Sequence, residues 1–495
     1  MRNKIFYLTV ILFIGATLRI FGLDAKDLWH DEVISIYRFK EVRVNYDHHP
    51  PLYHILLQFW IRCFGKTEFA VRSLSVLAGI GSLFFLYKIG ELLVNKKLGL
   101  ISSLLLALSP LHIWYSQEAR NYNLSVFLIL VSAFVFLLCL KKDKFFLWTI
   151  FIAITSLSIY TSYFAFFIII AEGILFFIKE FRPIFKKWAA SIFLVFIISL
   201  PLLSTTIKQT LFIKESFWVY KPTIKSIIIT LENFNIGYNG TSLMYILSWI
   251  FFLFFLIGVV HLFYYKRNEL FLLLSFLFTS IVISFFISQF MPIYLDRQLI
   301  LFSPFYYIII AQGLIKLRPY SIRIFLLGIM SIIIGFSLCN YFRNEIYTPS
   351  KHHHGVAWKR PFKRIREYLE KNFKEGDIIA HTHPGTMLPL KYYYLDKNPS
   401  IHYYFVFPLT LNSYWRNIFY DYLKHNDTTA VDLSQQSGKQ YVTKFKSIWL
   451  LAASWEKDWS IYKNSREVKN WMDSNFSKIT EEQIDGILIT FYKSK

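Results

Sequence analysis

Two neighbouring pieces, Asp27-Leu28-Trp29-His30-Asp31-Glu32 and Asp47-His48-His49-Pro50-Pro51-Leu52-Tyr53, decide the fold. They follow a first apolar run and precede all the others. Together they hold four carboxylates and three imidazoles, where the flanking sequence is almost entirely apolar. Ionisable groups at a membrane boundary are costly unless they act, which makes this loop the candidate functional site. The apolar stretch that follows, Leu52 to Phe64, has only thirteen residues. A crossing helix needs about 20, so this stretch reads as interfacial or re-entrant.

Composition agrees with a membrane setting. Hydrophobic residues make up 55% of the 495-residue chain and aromatics 19%, which excludes an ordinary soluble enzyme. The net charge of +22 would fit nucleic acid. However, the Lys and Arg fall in short clusters between apolar runs, and no nucleic-acid-reading motif accompanies them. Cys63, Cys139 and Cys339 all sit in apolar surroundings and define neither a disulfide framework nor a metal site. Met1-Arg2-Asn3-Lys4 precedes the first run without a small-residue cleavage site after it, so that run reads as an uncleaved span.

Apolar runs lie at 5–23, 69–94, 99–115, 122–140, 145–161, 163–179, 188–206, 241–265, 270–290, 298–316 and 322–341. If Leu52–Phe64 does not cross, the basic clusters at 96–97, 141–144, 179–187, 266–267 and 316–323 all share the side of Arg2 and Lys4. That satisfies the positive-inside rule at every such connection; a crossing segment would violate it at all of them. The expectation is a polytopic α-helical membrane protein of eleven transmembrane helices, with an interfacial helix in the first outer loop. The outer face then carries the acidic loop, 115–122, the long segment 207–240, 289–297 and the polar tail. From about Asn344 helices and strands alternate: helical patterns at 359–373, 386–395, 414–424 and 466–475, strands at 377–381, 446–452 and 486–492. This predicts a small C-terminal α/β soluble domain, giving a membrane domain over 1–343 and an extracytoplasmic domain over 344–495.

Several residues on the outer side could carry chemistry. Asp31 and Glu32 can act as a base on a hydroxyl, since desolvation at a cavity mouth raises a carboxylate's pKa; the plain alternative is a pair capping the helix 33–39. His48 and His49 are presented by two prolines beside the N-terminus of the helix 52–64, where an anion such as phosphate is favoured; a rigid turn with exposed histidines is the alternative. Tyr115-Ser116-Gln117-Glu118-Ala119-Arg120-Asn121-Tyr122 places Glu118 and Arg120 between two tyrosines. Arg120 could hold a phosphate through its fork and Glu118 a metal, or the two could form an interfacial salt bridge. Arg297, after Asp296, and Arg72, at the head of the second span, are candidates for a phosphate contact or for local pairing. Lys208 and Lys214, in the long outer segment, could reach a phosphate, with solvated side chains as the plain alternative. His381 and His383 alternate on a strand, and His352-His353-His354 precede it, but no third ligand follows at metal-site spacing. Neither a P-loop nor a dinucleotide fingerprint occurs.

Taken together, these residues resemble the GT-C membrane glycosyltransferases, most closely family 39 and its relatives: protein O-mannosyltransferases and the aminoarabinose transferase acting on lipid A. The resemblance rests on Asp31-Glu32, on His49-Pro50-Pro51-Leu52-Tyr53, on Gly65 with Arg72 and Ser75, on Ser109-Pro110 leading to Tyr115–Arg120, and on Pro292 to Arg297. It spans residues 5 to 320. It implies a donor sugar carried on a polyprenyl phosphate, an extracytoplasmic site, and inversion at the anomeric carbon. It further implies that Asp31 is the general base, and that Glu32 and Glu118 position donor or acceptor. By the same resemblance His49, Arg120 and Arg297 would neutralise the leaving phosphate, with His48, Tyr53, Arg72 and Tyr115 lining the substrate site. The acceptor would be an envelope glycan, lipid or protein in the bilayer's outer vicinity, with the enzyme in the plasma (inner) membrane. A divalent metal cofactor stays open. The sequence departs from the aminoarabinose transferase, which has Lys where His49 stands, and has Gln298 where relatives carry an aromatic. No Trp-Trp-Asp motif occurs in the tail, which disfavours en bloc transfer to Asn. Two other classes compete. A flippase for a lipid-linked sugar would need mid-span charges or paired broken helices, whereas Glu172 is the main intramembrane charge. A receptor acting through its tail would leave the first-loop carboxylates unexplained.

Overall fold

The computed structural model describes residues 2–37, 49–216, 219, 221–346, 356, 359–394, 401–411, 416, 419, 430–453 and 459–495. Every one of the eleven apolar runs folds as helix. Seven are long and apolar enough to cross a bilayer, one more is a bent pair, and three are shorter: Ile5–Ile20, Phe145–Thr161 and Tyr163–Leu175. The run expected as one straight span over 99–115 is the bent pair. Lys96–Leu108 and Pro110–Ser116 meet at 63°. Pro110 has no N–H to offer the Leu106 carbonyl and its ring clashes with a continuing helix, so the chain turns. Ser109 then caps the second piece by accepting from the His112 N–H at 3.3 Å. The segment 207–240, read as a long connection, holds a helix running on to Ser216 and a second one at Ile224–Ile236.

The chain divides into two compact units. The first comprises Met1–Leu23, His48–Thr210 and Val219–Val356; the second gathers Asp24–Asp47, Leu211–Trp218 and Ala357–Lys495.

In the first unit the helix Leu52–Phe64 forms as its length and prolines predict. Tyr53, His54, Leu57 and Ile61 are buried along one side, while Ile55, Phe59 and Phe64 are exposed on the other. Gly65, at φ 86°, ends it. Small residues let the longer helices approach closely, as membrane helices require. Trp249–Tyr265 and Ser303–Lys316 touch backbone to backbone: a Cβ on Gly258 would overlap the Ile309 carbonyl oxygen, and one on Gly313 the Phe254 carbonyl oxygen.

Among the described residues the second unit holds a six-stranded sheet. Its strands are β1 (Ile378–His381), β2 (His402–Val406), β3 (Ala430–Asp432), β4 (Ser447–Ala453), β5 (Phe476–Ile484) and β6 (Ile487–Ser494), in the order β3-β2-β1-β4-β6-β5. The first four run parallel; β6 and β5 are antiparallel. Helix Phe362–Asn372 packs Phe362, Ile365 and Leu369 inward, the i, i+3, i+7 pattern of one helical face. Strands β1, β4 and β6 and the helices at 362–372, 384–393 and 459–475 lie where the sequence pattern puts them. Three strands escape it. β5 is a polar edge strand, buried only at Phe476 and Ile484, β3 is three residues long, and β2 lacks polar–apolar alternation.

Beneath this sheet a chain of buried histidines joins neighbouring elements. His381 contacts the Thr386 hydroxyl through Nδ1 at 3.1 Å and His402 Nδ1 through Nε2 at 2.9 Å. His383 caps the helix Pro384–Tyr393 by accepting from the Gly385 N–H at 2.9 Å. The alternating pair His381 and His383 is thus spent on internal bonds. Burial, the largest cause, takes His383 and His402 down to about 3 and His381 well below its ordinary range.

Two outcomes follow. Gly313→Ala forces a packed helix pair apart and costs about 1–3 kcal/mol; thermal unfolding in detergent should show a lower Tm, and an unchanged Tm contradicts the packing. His383 and His402 bind protons in the unfolded chain below about pH 6.5 but in the fold only at about pH 3, and His381 is shifted in the same direction. Stability of the α/β unit is therefore full above pH 6.5 and falls as pH drops from 6.5 toward 3. Hydrogen exchange of β1 and β2 against pH should show that loss, and His402→Gln should flatten it; an identical profile in the variant contradicts it.

Candidate functional site

The first unit builds its site on the turn after the bent helix. The carbonyls at the break are taken up from the first span: Arg19 Nη2 donates to Leu106 at 3.1 Å and Nη1 to Ala107 at 3.1 Å. Gln117 returns the favour at the C-terminal end of that span, its Nε2 donating to the carbonyls of Arg19 at 3.0 Å and Phe21 at 2.8 Å. Tyr341 donates to Gln117 Oε1 at 2.7 Å. With Gln117 fixed, the chain makes a tight turn closed by the Arg120 N–H on the Glu118 carbonyl, 2.8 Å. Ser75 donates to the Arg120 carbonyl at 3.2 Å and meets the Tyr53 hydroxyl at 3.0 Å, so the helices at 52–64 and 68–93 both fasten the turn.

Glu118 and Arg120 therefore lie inside the unit, 1% and 5% exposed, and not in a solvated interfacial bridge. Trp114 Nε1 donates to Glu118 Oε1 at 2.8 Å. The Arg120 guanidinium lies 5.9 Å from the Tyr122 ring centre, and the His49 ring stands edge-on to the same ring at 5.9 Å. His49 Nδ1 is 3.4 Å from Asn121 Nδ2. Tyr115 stacks its edge on Tyr122 at 4.8 Å and joins its hydroxyl to that of Tyr238 at 2.8 Å. Burial, then the Asp296 carboxylate, hold the Tyr238 phenol well above its ordinary range; Arg297 pulls it down and Glu118 pushes it up. Arg297 and Glu118 thus both act electrostatically on Tyr238. Asp296 accepts from Thr230 Oγ1 at 2.5 Å and from Asn233 Nδ2 at 2.7 Å, which ties helix 224–236 to the residue before Arg297. Arg72 is 1% exposed and donates to the Leu23 carbonyl at 2.8 Å, a brace on the end of the first span.

His49, Tyr53, Tyr115, Glu118 and Arg120 are thereby gathered around the 115–122 turn within one unit, and Arg297 follows Asp296, which helix 224–236 holds. The arrangement is a set of cations and phenol donors suited to an oxyanion. Tyr238, Asn233 and Thr230 belong to it too. They were not singled out from the sequence because each sits far along the chain in an otherwise ordinary helix or turn. The long outer segment that contains them was the available signal.

Asp31 and Glu32 belong to the second unit, in the first turn of the helix His30–Tyr37, where carboxylates suit the helix dipole. Glu32 is fully buried and 3.6 Å from Lys359 Nζ, itself 3% exposed, and accepts weakly from the Trp29 N–H at 3.4 Å. Asp31 keeps 22% of its side chain exposed and lies 3.3 Å from His30 Nδ1. Asp27 accepts from the Lys363 N–H at 2.8 Å. Of the two acids Asp31 is the one open to a reactant. His48 and His352-His353-His354 lie outside the described residues. Among the described residues no three His, Cys, Asp or Glu side chains gather as a metal site.

Residues 48–207 match the model of the family described as dolichyl-phosphate-mannose-protein mannosyltransferase. No curated protein sequence matches the chain. Among solved structures, ArnT from Cupriavidus metallidurans in the apo state superposes with a TM-score of 0.68 at 9% identity, covering 98% of this chain and 97% of that one. The same protein bound to undecaprenyl phosphate gives 0.66 at 9% identity, covering 98% of both chains. The archaeal oligosaccharyltransferase AglB from Archaeoglobus fulgidus, in complex with an inhibitory peptide and a dolichol-phosphate, gives 0.56 at 12% identity over 99% of this chain and 74% of that one. Residues 48–207 thus resemble the dolichyl-phosphate-mannose-protein mannosyltransferase family, and the chain has a GT-C fold like that of ArnT.

Proposed function

We propose that this protein is a glycosyltransferase that moves a sugar from a polyprenyl-phosphate donor to a hydroxyl of an envelope glycan, lipid or protein. The observation that carries the proposal is the gathering of His49 and Arg120 about Tyr122 beside the joined phenols Tyr115 and Tyr238. The ArnT and AglB complexes hold undecaprenyl phosphate and a dolichol-phosphate respectively, which supports a lipid phosphate as the guest. In this reading the acceptor oxygen attacks the anomeric carbon, Asp31 takes its proton, and the bond from that carbon to the phosphate oxygen breaks. The phosphate leaves with one more negative charge, and cations already in place stabilise that charge without reorganising. Attack opposite the leaving group inverts the anomeric centre. Glu32, locked to Lys359, positions its neighbour, and Glu118 orients the donor through the turn it shares with Arg120.

The proposed topology puts the 115–122 turn and the α/β unit on the extracytoplasmic side of the inner membrane, because the basic connections then stay inside.

Transfer from a radiolabelled polyprenyl-phosphate sugar tests the roles. Asp31→Asn should lower kcat by about 10²–10⁴-fold, the usual worth of a general base. Arg297→Gln should lower it about 10²–10³-fold, the usual worth of one charge-stabilising donor. Full activity in Asp31→Asn rejects the base, and full activity in Arg297→Gln rejects the phosphate site.

A further inference from the structure

The amino-terminal edge of the α/β sheet carries a cavity of about 360 Å³ that the transfer reaction does not use. Lys374, Lys444, Lys446, Lys493, Phe445 and Phe491 line it. Its position follows from the topology. Lys374 precedes β1, Lys444 and Lys446 precede the parallel strand β4, and Lys493 ends the antiparallel β6, where it registers with Ser447. Three strand ends thus deliver four exposed ammonium groups to one hollow.

The lining gathers like charge, four lysines in one hollow. Several other cations of the unit are matched: Lys469 with Asp473 and Glu481, Lys478 with Glu481, Arg360 with Asp485, Arg366 with Glu370. None of the four cavity lysines makes an ion pair among the described residues. The buried acid at the floor, Asp377, is spent on the Lys374 N–H, the Ser447 hydroxyl and Trp449 Nε1. Glu375 at the rim offers one carboxylate against four ammoniums. Like charges held together repel, and a bound anion relieves that repulsion.

The rest of the lining narrows the anion's class. Phe491 is held flat on Trp449, 4.4 Å between centres, and Phe445 packs on Tyr403 at 5.0 Å; both stay half-buried toward the hollow. A fixed aromatic face beside ammonium donors suits the CH face of a sugar ring that also bears a negative group. The volume falls in the range of small-ligand pockets. We infer that this cavity binds an anionic saccharide unit, its acid group on the lysines and its ring against Phe445 or Phe491. This goes beyond the proposed transfer and does not depend on it, because binding is read without any donor.

The test uses the full chain in phosphatidylcholine nanodiscs, titrated with tetragalacturonate and with neutral maltotetraose. Tetragalacturonate should bind at least about tenfold more tightly, and the preference should fade as salt screens the lysines. The triple variant Lys444→Gln, Lys446→Gln, Lys493→Gln should lose that preference while its Tm stays unchanged. Should the triple variant unfold, Lys446→Gln alone must weaken tetragalacturonate severalfold. Equal binding of the two oligosaccharides, or full binding by the variants, overturns the inference. So does a variant that loses only its association with phosphatidylglycerol vesicles, since that assigns the lysines to a lipid surface.

Discussion

Inside a bilayer-sized apolar core, a broken helix has nowhere to send its free carbonyls except to other protein groups. The break at Ser109-Pro110 is the constraint from which the first unit's site grows. Arg19, itself fully buried, takes the carbonyls of Leu106 and Ala107, and Gln117 takes those at the end of the first span. Each helix end is satisfied by a side chain from the other. That exchange fixes where the helix Pro110–Ser116 points, and so where Glu118, Arg120 and Tyr122 arrive. A charged residue in the first span, easily read as a topological marker, is a structural brace here.

Much of this was legible in the sequence. The apolar runs, the short helix at 52–64 and most elements of the α/β unit follow from length, proline placement and periodicity. Proximity between segments distant in the chain was not legible. Tyr238 reaches Tyr115 across 123 residues, and Lys359 reaches Glu32 across more than 300. Nothing in local pattern marks such partners. The bend at Pro110 was visible as a Ser-Pro pair, but an apolar run of crossing length hid it. The strand β5 was hidden for the opposite reason: an exposed edge strand needs no apolar alternation.

The first-loop acids separate by environment. Glu32 is fully buried against a lysine, an arrangement that holds a helix in place and costs much if either partner is removed. Asp31, one residue earlier on the same first turn, stays partly exposed beside His30. Adjacent carboxylates with unlike surroundings suit unlike roles, and the proposed function takes Glu32 as the anchor and Asp31 as the reactant.

The central claim is that the cations and phenols around the 115–122 turn receive a lipid phosphate. A cryo-EM structure of the chain saturated with undecaprenyl phosphate tests it most directly. The account predicts phosphate density within hydrogen-bond distance of Arg120 or Arg297 and of the Tyr115–Tyr238 pair. Phosphate bound elsewhere, with those four side chains out of reach, would contradict it.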